Sequence, residues 1–166
     1  RAYQRFFTHS QAGFMALRDR VLAERGMALD PNSSGVLFNS GLALALSGRP
    51  EEAIPLLQKA IRLNPLAPSL FLSTLSIAYR MANRFDEAVE QAKRAVERNP
   101  KDLFANLSLA AGCILTGRET EARAAAEEVL KINPAFSVEQ FGSTLPYKDK
   151  SFVDRTIDSW RKAGLK

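Results

Sequence analysis

Apolar residues return every three to four positions along this chain, in short windows that each end on a helix-stopping pair. Between Ser34 and Leu46, the residues Leu37, Gly41, Leu44 and Ala45 keep that spacing, which marks one face of a helix. Ser33 or Ser34 is a suitable N-cap. Ser47-Gly48 ends the window, since glycine readily takes the left-handed backbone that terminates helices. Pro50 then falls in the first turn of a second helix, where proline is tolerated. Ala53, Leu56, Leu57, Ala60, Ile61 and Leu63 form the apolar face of that helix. Glu51 and Glu52 lead it while Lys59 and Arg62 trail, which complements the helix dipole at both ends. Pro55 removes one backbone hydrogen bond and predicts a modest kink.

This paired pattern recurs. The stretch GRPEEAIPLLQKAIRLNP at 48–65 returns as NRFDEAVEQAKRAVERNP at 83–100 and GRETEARAAAEEVLKINP at 117–134. Pro31, Pro65, Pro100 and Pro134 are 34, 35 and 34 residues apart, and a fixed period of this size marks a repeat array. The second unit carries Leu72, Leu75, Ser76, Tyr79 and Met81 on its first helix, then Phe85, Ala88, Val89, Ala92, Ala95 and Val96 on its second. The third carries Leu103, Leu107, Leu109, Ala110, Cys113 and Ile114, then Ala122, Ala125, Ala126, Val129, Leu130 and Ile132. Small residues where paired helices cross allow their backbones to approach.

The two ends depart from the period. Residues 1–33 read as a degenerate helical hairpin, with Tyr3, Phe6 and Phe7 on one stripe and Phe14, Leu17, Val21 and Met27 on another. His9 lies near its turn without ligand-spaced partners and reads as structural or solvent-exposed. After Pro134, the Ser137-to-Gln140 spacing matches a capping box opening a short helix that ends near Gly142. An extended linker covers Leu145 to Asp149. From Ser151 a final helix sets Phe152, Val153, Ile157 and Trp160 against Asp154, Arg155, Asp158 and Arg161. A solenoid's last repeat leaves an apolar face that needs a cap with a polar outer side, and this helix suits that task.

Composition narrows the function classes. The net charge of +5 raises nucleic acid or an anionic membrane as partners, but acids interleave with the bases throughout. A phosphate-tracking surface needs clustered Lys and Arg, so nucleic acid is not expected as a partner. No apolar run is long enough to span a bilayer, so no membrane is expected either. The single cysteine, Cys113, reads as a small buried thiol in a reducing, cytoplasmic setting. No glycine-rich phosphate loop or Cys/His cluster appears. The acidic pairs Glu51-Glu52, Asp86-Glu87 and Glu127-Glu128 sit on helix starts or solvated faces, unlike the desolvated pairs of general acid–base catalysis. The expectation is no enzyme, no catalytic residues, no metal and no cofactor. The chain begins at Arg1 and reads as the C-terminal part of a larger protein.

These units resemble the tetratricopeptide repeat family: Gly41, Ser76 and Ala110 at its small site, Ala53, Ala88 and Ala122 at its alanine site, and Pro65, Pro100 and Pro134 at its closing proline. The family's early aromatic is replaced by Leu37, Leu72 and Asn106, and its middle tyrosine survives only as Tyr79. The resemblance implies an all-α right-handed superhelix. Its parts are a degenerate hairpin (1–33), three repeats (34–67, 69–102 and 103–136), and a linker with a C-terminal capping helix (137–166). The ending is also similar to the tails of bacterial multidomain proteins in which a class III adenylate cyclase or a winged-helix domain precedes such repeats.

In this family the first helix of each hairpin lines a concave groove. Carried over by register, the groove residues are Phe38, Asn39, Leu42 and Ala45; Leu70, Ser73, Thr74, Ile77 and Arg80; and Phe104, Leu107, Ser108 and Ala111. Phe38 and Leu42 stand where a carboxylate-clamping Lys and Asn would be, which excludes that mode. Asn39, Thr74 and Ser108 leave only a weak polar stripe in place of an asparagine ladder. The groove is therefore mainly apolar and suits a hydrophobic peptide or helix, unless residues 136–147 fold back and fill it. Arg80 is its one charge and favours an acidic residue on the occupant, unless a neighbouring carboxylate pairs with it. The implied role is a non-catalytic protein-interaction module of a bacterial signalling or regulatory protein, with a protein or peptide partner. The alternative is an oligomerisation or autoregulatory domain, including a homo-oligomer, of an attached adenylate cyclase or transcription regulator.

Overall fold

The computed structural model describes Val21, Arg25 and residues 28–166. The expected hairpin at 1–33, with its aromatic stripe and His9, lies almost wholly outside the described residues. From Ser34 onward the described chain is helical: α1 Ser34–Leu46, α2 Pro50–Leu63, α3 Ser69–Met81, α4 Phe85–Arg98, α5 Leu103–Leu115, α6 Glu119–Ile132, α7 Val138–Ser143 and α8 Lys150–Lys162. The first six pair as three antiparallel hairpins, α1/α2, α3/α4 and α5/α6, stacked into a right-handed superhelix.

The turn inside each hairpin is the same device three times. Gly48, Asn83 and Gly117 sit at φ of 78°, 59° and 73°, the left-handed region that suits Gly and, next best, Asn. The residue after each one donates its N–H back across the helix end: Arg49 to Leu44 O (3.0 Å), Arg84 to Tyr79 O (2.9 Å) and Arg118 to Cys113 O (2.8 Å). This six-to-one bond satisfies a carbonyl that the helix end would otherwise orphan. Each second helix then starts without a side-chain cap and leads with acids.

Close packing follows from the small residues. A Cβ on Gly41 would lie 2.7 Å from Leu57 Cγ, and one on Gly112 would lie 3.0 Å from Val89 Cγ2. Ala53, Ala88, Ala110 and Ala122 are completely buried at the crossings. Helix α2 runs through Pro55 without interruption. Ser33 and not Ser34 caps α1, accepting from Val36 N at 3.4 Å. Cys113 is buried within the third hairpin, and burial pushes its thiol up to about 11.

The ends of the C-terminal elements shift slightly from expectation. Ser137 does cap α7, accepting from Gln140 N at 3.3 Å, and that helix runs one residue past Gly142. Helix α8 begins at Lys150 and not at Ser151, because the Asp149 carboxylate accepts from Phe152 N at 3.2 Å and so fixes the start one residue earlier. A Cβ on Gly142 would meet Ile157 Cδ1 at 2.6 Å, so the glycine lets α8 lie directly on α7.

Candidate partner-binding groove

Helices α1, α3 and α5 line the inner surface of the array, and the C-terminal segment lies in it. Lys148 N donates to Leu46 O at the end of α1 (3.0 Å), fixing the entry of α8 beside the first hairpin. Thr156 then sits against Arg80 on α3. Further along, the Trp160 indole N–H donates to Leu107 O on α5 at 2.9 Å. Past the helix, Val138 N donates to Lys166 O (2.8 Å), and Arg161 pairs with Glu139 at 2.6 Å. The final helix thus covers the apolar face of the array, as a cap should. The helix itself lies on α5 and reaches α3 through Thr156, while Lys148 of the preceding linker reaches α1.

The docking is an apolar stripe entering an apolar trough. Phe152, Val153 and Tyr147 join the core of the first two hairpins, with Leu37, Phe38, Leu57, Leu75 and Tyr79. Trp160, Ala163 and Leu165 join Leu107, Ala110, Ala111 and Val129 in the core of the third, together with Phe136 and Val138. Trp160 meets Phe136 and Phe141 edge-on, and Tyr147 meets Phe152 likewise. Fully burying a side chain of this size contributes about 1.5–3 kcal/mol, so Phe152, Trp160 and Leu165 dominate the hold on the helix.

The residues expected to line the groove divide into three groups. Ile77, Arg80, Phe104, Leu107 and Ser108 surround one small cavity of about 40 Å³ whose other walls are Phe141, Leu145, Tyr147, Phe152, Thr156 and Trp160. Phe38, Ala45, Ser73, Thr74 and Ala111 are buried in the packed interior, with Phe38 stacked on Phe71 at a ring-centroid distance of 3.9 Å; Leu42 is half-buried beside them. Asn39 is exposed, and Leu70 (45% exposed) and Phe104 (47%) keep large apolar area in water. Phe141, Leu145 and Tyr147 come from the 136–147 segment anticipated as one alternative filling of the groove, whereas Phe152, Thr156 and Trp160 were not expected there. The signal for these last three was the four-residue step between them; the apolar stripe assigned to the cap holds Phe152 and Trp160 but not Thr156.

Arg80 is the electrostatic peculiarity of the groove. Its side chain is 2% exposed, it stands 5.2 Å from the centre of the Phe152 ring, and its Nη1 donates to Thr156 Oγ1 at 3.2 Å. Its Nε has no hydrogen-bond partner. Among the described residues no carboxylate pairs with it. Burial pushes the guanidinium down to about 10, with Tyr147 opposing the shift and Arg155 adding to it. It therefore remains a cation at neutral pH, enclosed by aromatic rings, hydroxyls and aliphatic carbon. The neighbouring carboxylate anticipated as one alternative is not there.

Among the described residues no group of three or more His, Cys, Asp or Glu is placed to hold a metal ion, and no helix is long and apolar enough to cross a membrane.

Two tetratricopeptide repeat family models match the chain, one over residues 16–68 and the other over 44–111. Together they span more than half of it, and the first reaches back into the degenerate segment. The chain belongs to the tetratricopeptide repeat family. Among solved structures it is similar to MamA, with a TM-score of 0.65 at 25% identity over 85% of this chain and 82% of that one. A MamA from Desulfovibrio magneticus RS-1 gives 0.60 at 20% identity, covering 78% and 71%. The Arabidopsis OM64 tetratricopeptide domain gives 0.60 at 19% identity, covering 78% and 95%. These last two share the fold. A 38-residue stretch is 45% identical to a putative adenylate cyclase of Rhizobium meliloti (strain 1021), covering 23% of this chain and 6% of that protein. The chain thus spans a small part of that relative's length. As a tetratricopeptide array the chain is a non-catalytic scaffold, and its class of function is protein interaction.

Proposed function

We propose that the concave groove of this tetratricopeptide array receives an amphipathic helix through Ile77, Arg80, Phe104, Leu107 and Ser108. On this reading the module forms the C-terminal part of a larger bacterial signalling or regulatory protein. The observation that carries it is the seating of α8, whose Phe152, Thr156 and Trp160 enter the groove at four-residue steps. A helix laid in a groove with anchors at this spacing is a recurrent recognition mode, and α8 serves as the template for what the groove accepts. The single, buried Cys113 fits a reducing, cytoplasmic setting.

A second reading is favoured by the same observation together with the cyclase-like stretch. An array whose groove holds its own tail is an autoregulatory device for an attached catalytic or DNA-binding domain, with tail release as the signal.

The test is made in the full chain carrying Trp160→Asp, which unseats α8. A labelled peptide of residues 149–166 with native sequence is expected to bind this chain at least about tenfold more tightly than the unaltered chain, whose own tail competes at high effective concentration. Adding Ile77→Asp is expected to abolish the binding. A folded Trp160→Asp chain that ignores the peptide contradicts the groove reading.

A further inference from the structure

We propose that the groove's external partner is an acidic amphipathic helix carrying a carboxylate midway between two large apolar anchors, at the place Thr156 occupies on α8, where it pairs with Arg80. This rests on the groove reading above and names the chemistry of the occupant.

Three observations converge on it. Arg80 is buried with no carboxylate partner, and its Nε meets no acceptor. A cation withdrawn from water in this way is costly unless paired and fully hydrogen-bonded, and beside the single 3.2 Å contact from Nη1 to a hydroxyl its Nε is buried without an acceptor. The facing position on α8 is the middle of the Phe152, Thr156, Trp160 stripe, and residues four apart share one helix face. One residue on an incoming helix thus decides whether the guanidinium is matched. Finally, the cavity of about 40 Å³ beside these groups is bounded by both Arg80 and Thr156. That exceeds the space of a single water and gives room for the extra atoms of a carboxylate. The chain's own tail is neutral at this point, so it holds the groove by tethering and apolar burial and leaves the charge unmatched. A helix with the same anchors and a central acid makes a contact that the tail lacks, which favours its displacing the tail.

The experiment compares three peptides of residues 149–166: the native sequence, Thr156→Asp and Thr156→Asn, the last being a neutral match in size. Each is titrated calorimetrically into the full chain. The tethered tail weakens all three by a common factor, so their ratios survive it. The Thr156→Asp peptide is expected to bind at least about tenfold more tightly than the Thr156→Asn peptide, a difference of about 1.4 kcal/mol. That preference is expected to vanish on a chain carrying Arg80→Met. In parallel, Thr156→Asp placed in the chain itself is expected to melt at a higher temperature than Thr156→Asn, and Arg80→Met is expected to erase the difference.

Equal binding of the Thr156→Asp and Thr156→Asn peptides overturns the acidic partner and leaves the groove reading intact. Failure of all three peptides to bind the chain, with or without Trp160→Asp, overturns both. A light-scattering mass of two chains that Trp160→Asp returns to one makes the occupant a second copy's tail, and also overturns the proposal.

Discussion

Replacing Trp160 with alanine removes the largest anchor of α8. The side chain is 3% exposed, touches Phe136 and Phe141 edge-on, and donates its indole N–H to Leu107 O. Large-to-small changes at buried aromatic positions cost about 3–5 kcal/mol, and the lost hydrogen bond accounts for about 1 kcal/mol. A loss of about 4 kcal/mol corresponds to roughly three orders of magnitude in the docking equilibrium. Stability in a repeat array is a sum of local terms, and the main helix contacts of α8 are with α5 and α7, while α4 meets it through Arg155 over the Phe85 ring. The damage is therefore expected to be local. Hydrogen exchange should show amides of residues 150–162 losing protection by about a thousandfold, while those of α4 stay within tenfold of the unaltered chain. If the tail amides keep their protection within tenfold, the groove does not hold α8 through Trp160 and the packing argument fails.

Two further outcomes follow from the geometry. Gly41→Ala is expected to cost about 1–3 kcal/mol by overpacking, since its Cβ would overlap Leu57. Gly35→Ala, near the start of the same helix and with nothing within 4 Å, is expected to stabilise by up to about 0.5–1 kcal/mol; paired thermal melts check both. Acid is expected to loosen the tail. Bonds from Ser151 and from Phe152 N hold the Asp149 carboxyl below its ordinary value, and Arg161 does the same for Glu139. A depressed carboxylate gives stability that is complete above the ordinary values of about 3.9 and 4.3 and lost as pH falls through the lower folded ones. Circular dichroism with hydrogen exchange should therefore show residues 150–162 opening below about pH 4 ahead of α3, which carries no carboxylate.

The repeat architecture was legible because its determinants are local. Gly48, Asn83 and Gly117 each dictate a left-handed turn, and Gly41 and the buried alanines dictate where helices touch. The groove's occupant was less legible, for a physical reason. An apolar stripe on α8 records that the helix must bury one face but carries no address. Phe152, Val153, Ile157 and Trp160 would suit the end of the third hairpin as well as the inner trough. What decides between them is the reach of the 145–149 linker and the hydrogen bonds from Lys148 to Leu46 and from Trp160 to Leu107. Arg80 illustrates the same limit. Its groove register followed from the repeat, but the lack of a carboxylate opposite it depends on which residue of α8 faces it.

Trp160 is the chain's only tryptophan, so its emission reports directly on whether the tail lies in the groove. In the folded chain at neutral pH the account predicts blue-shifted emission shielded from iodide, as expected of an indole enclosed by Phe136, Phe141 and the Leu107 carbonyl. Solvent-like emission, freely quenched by iodide while the helical circular dichroism signal is intact, would contradict it.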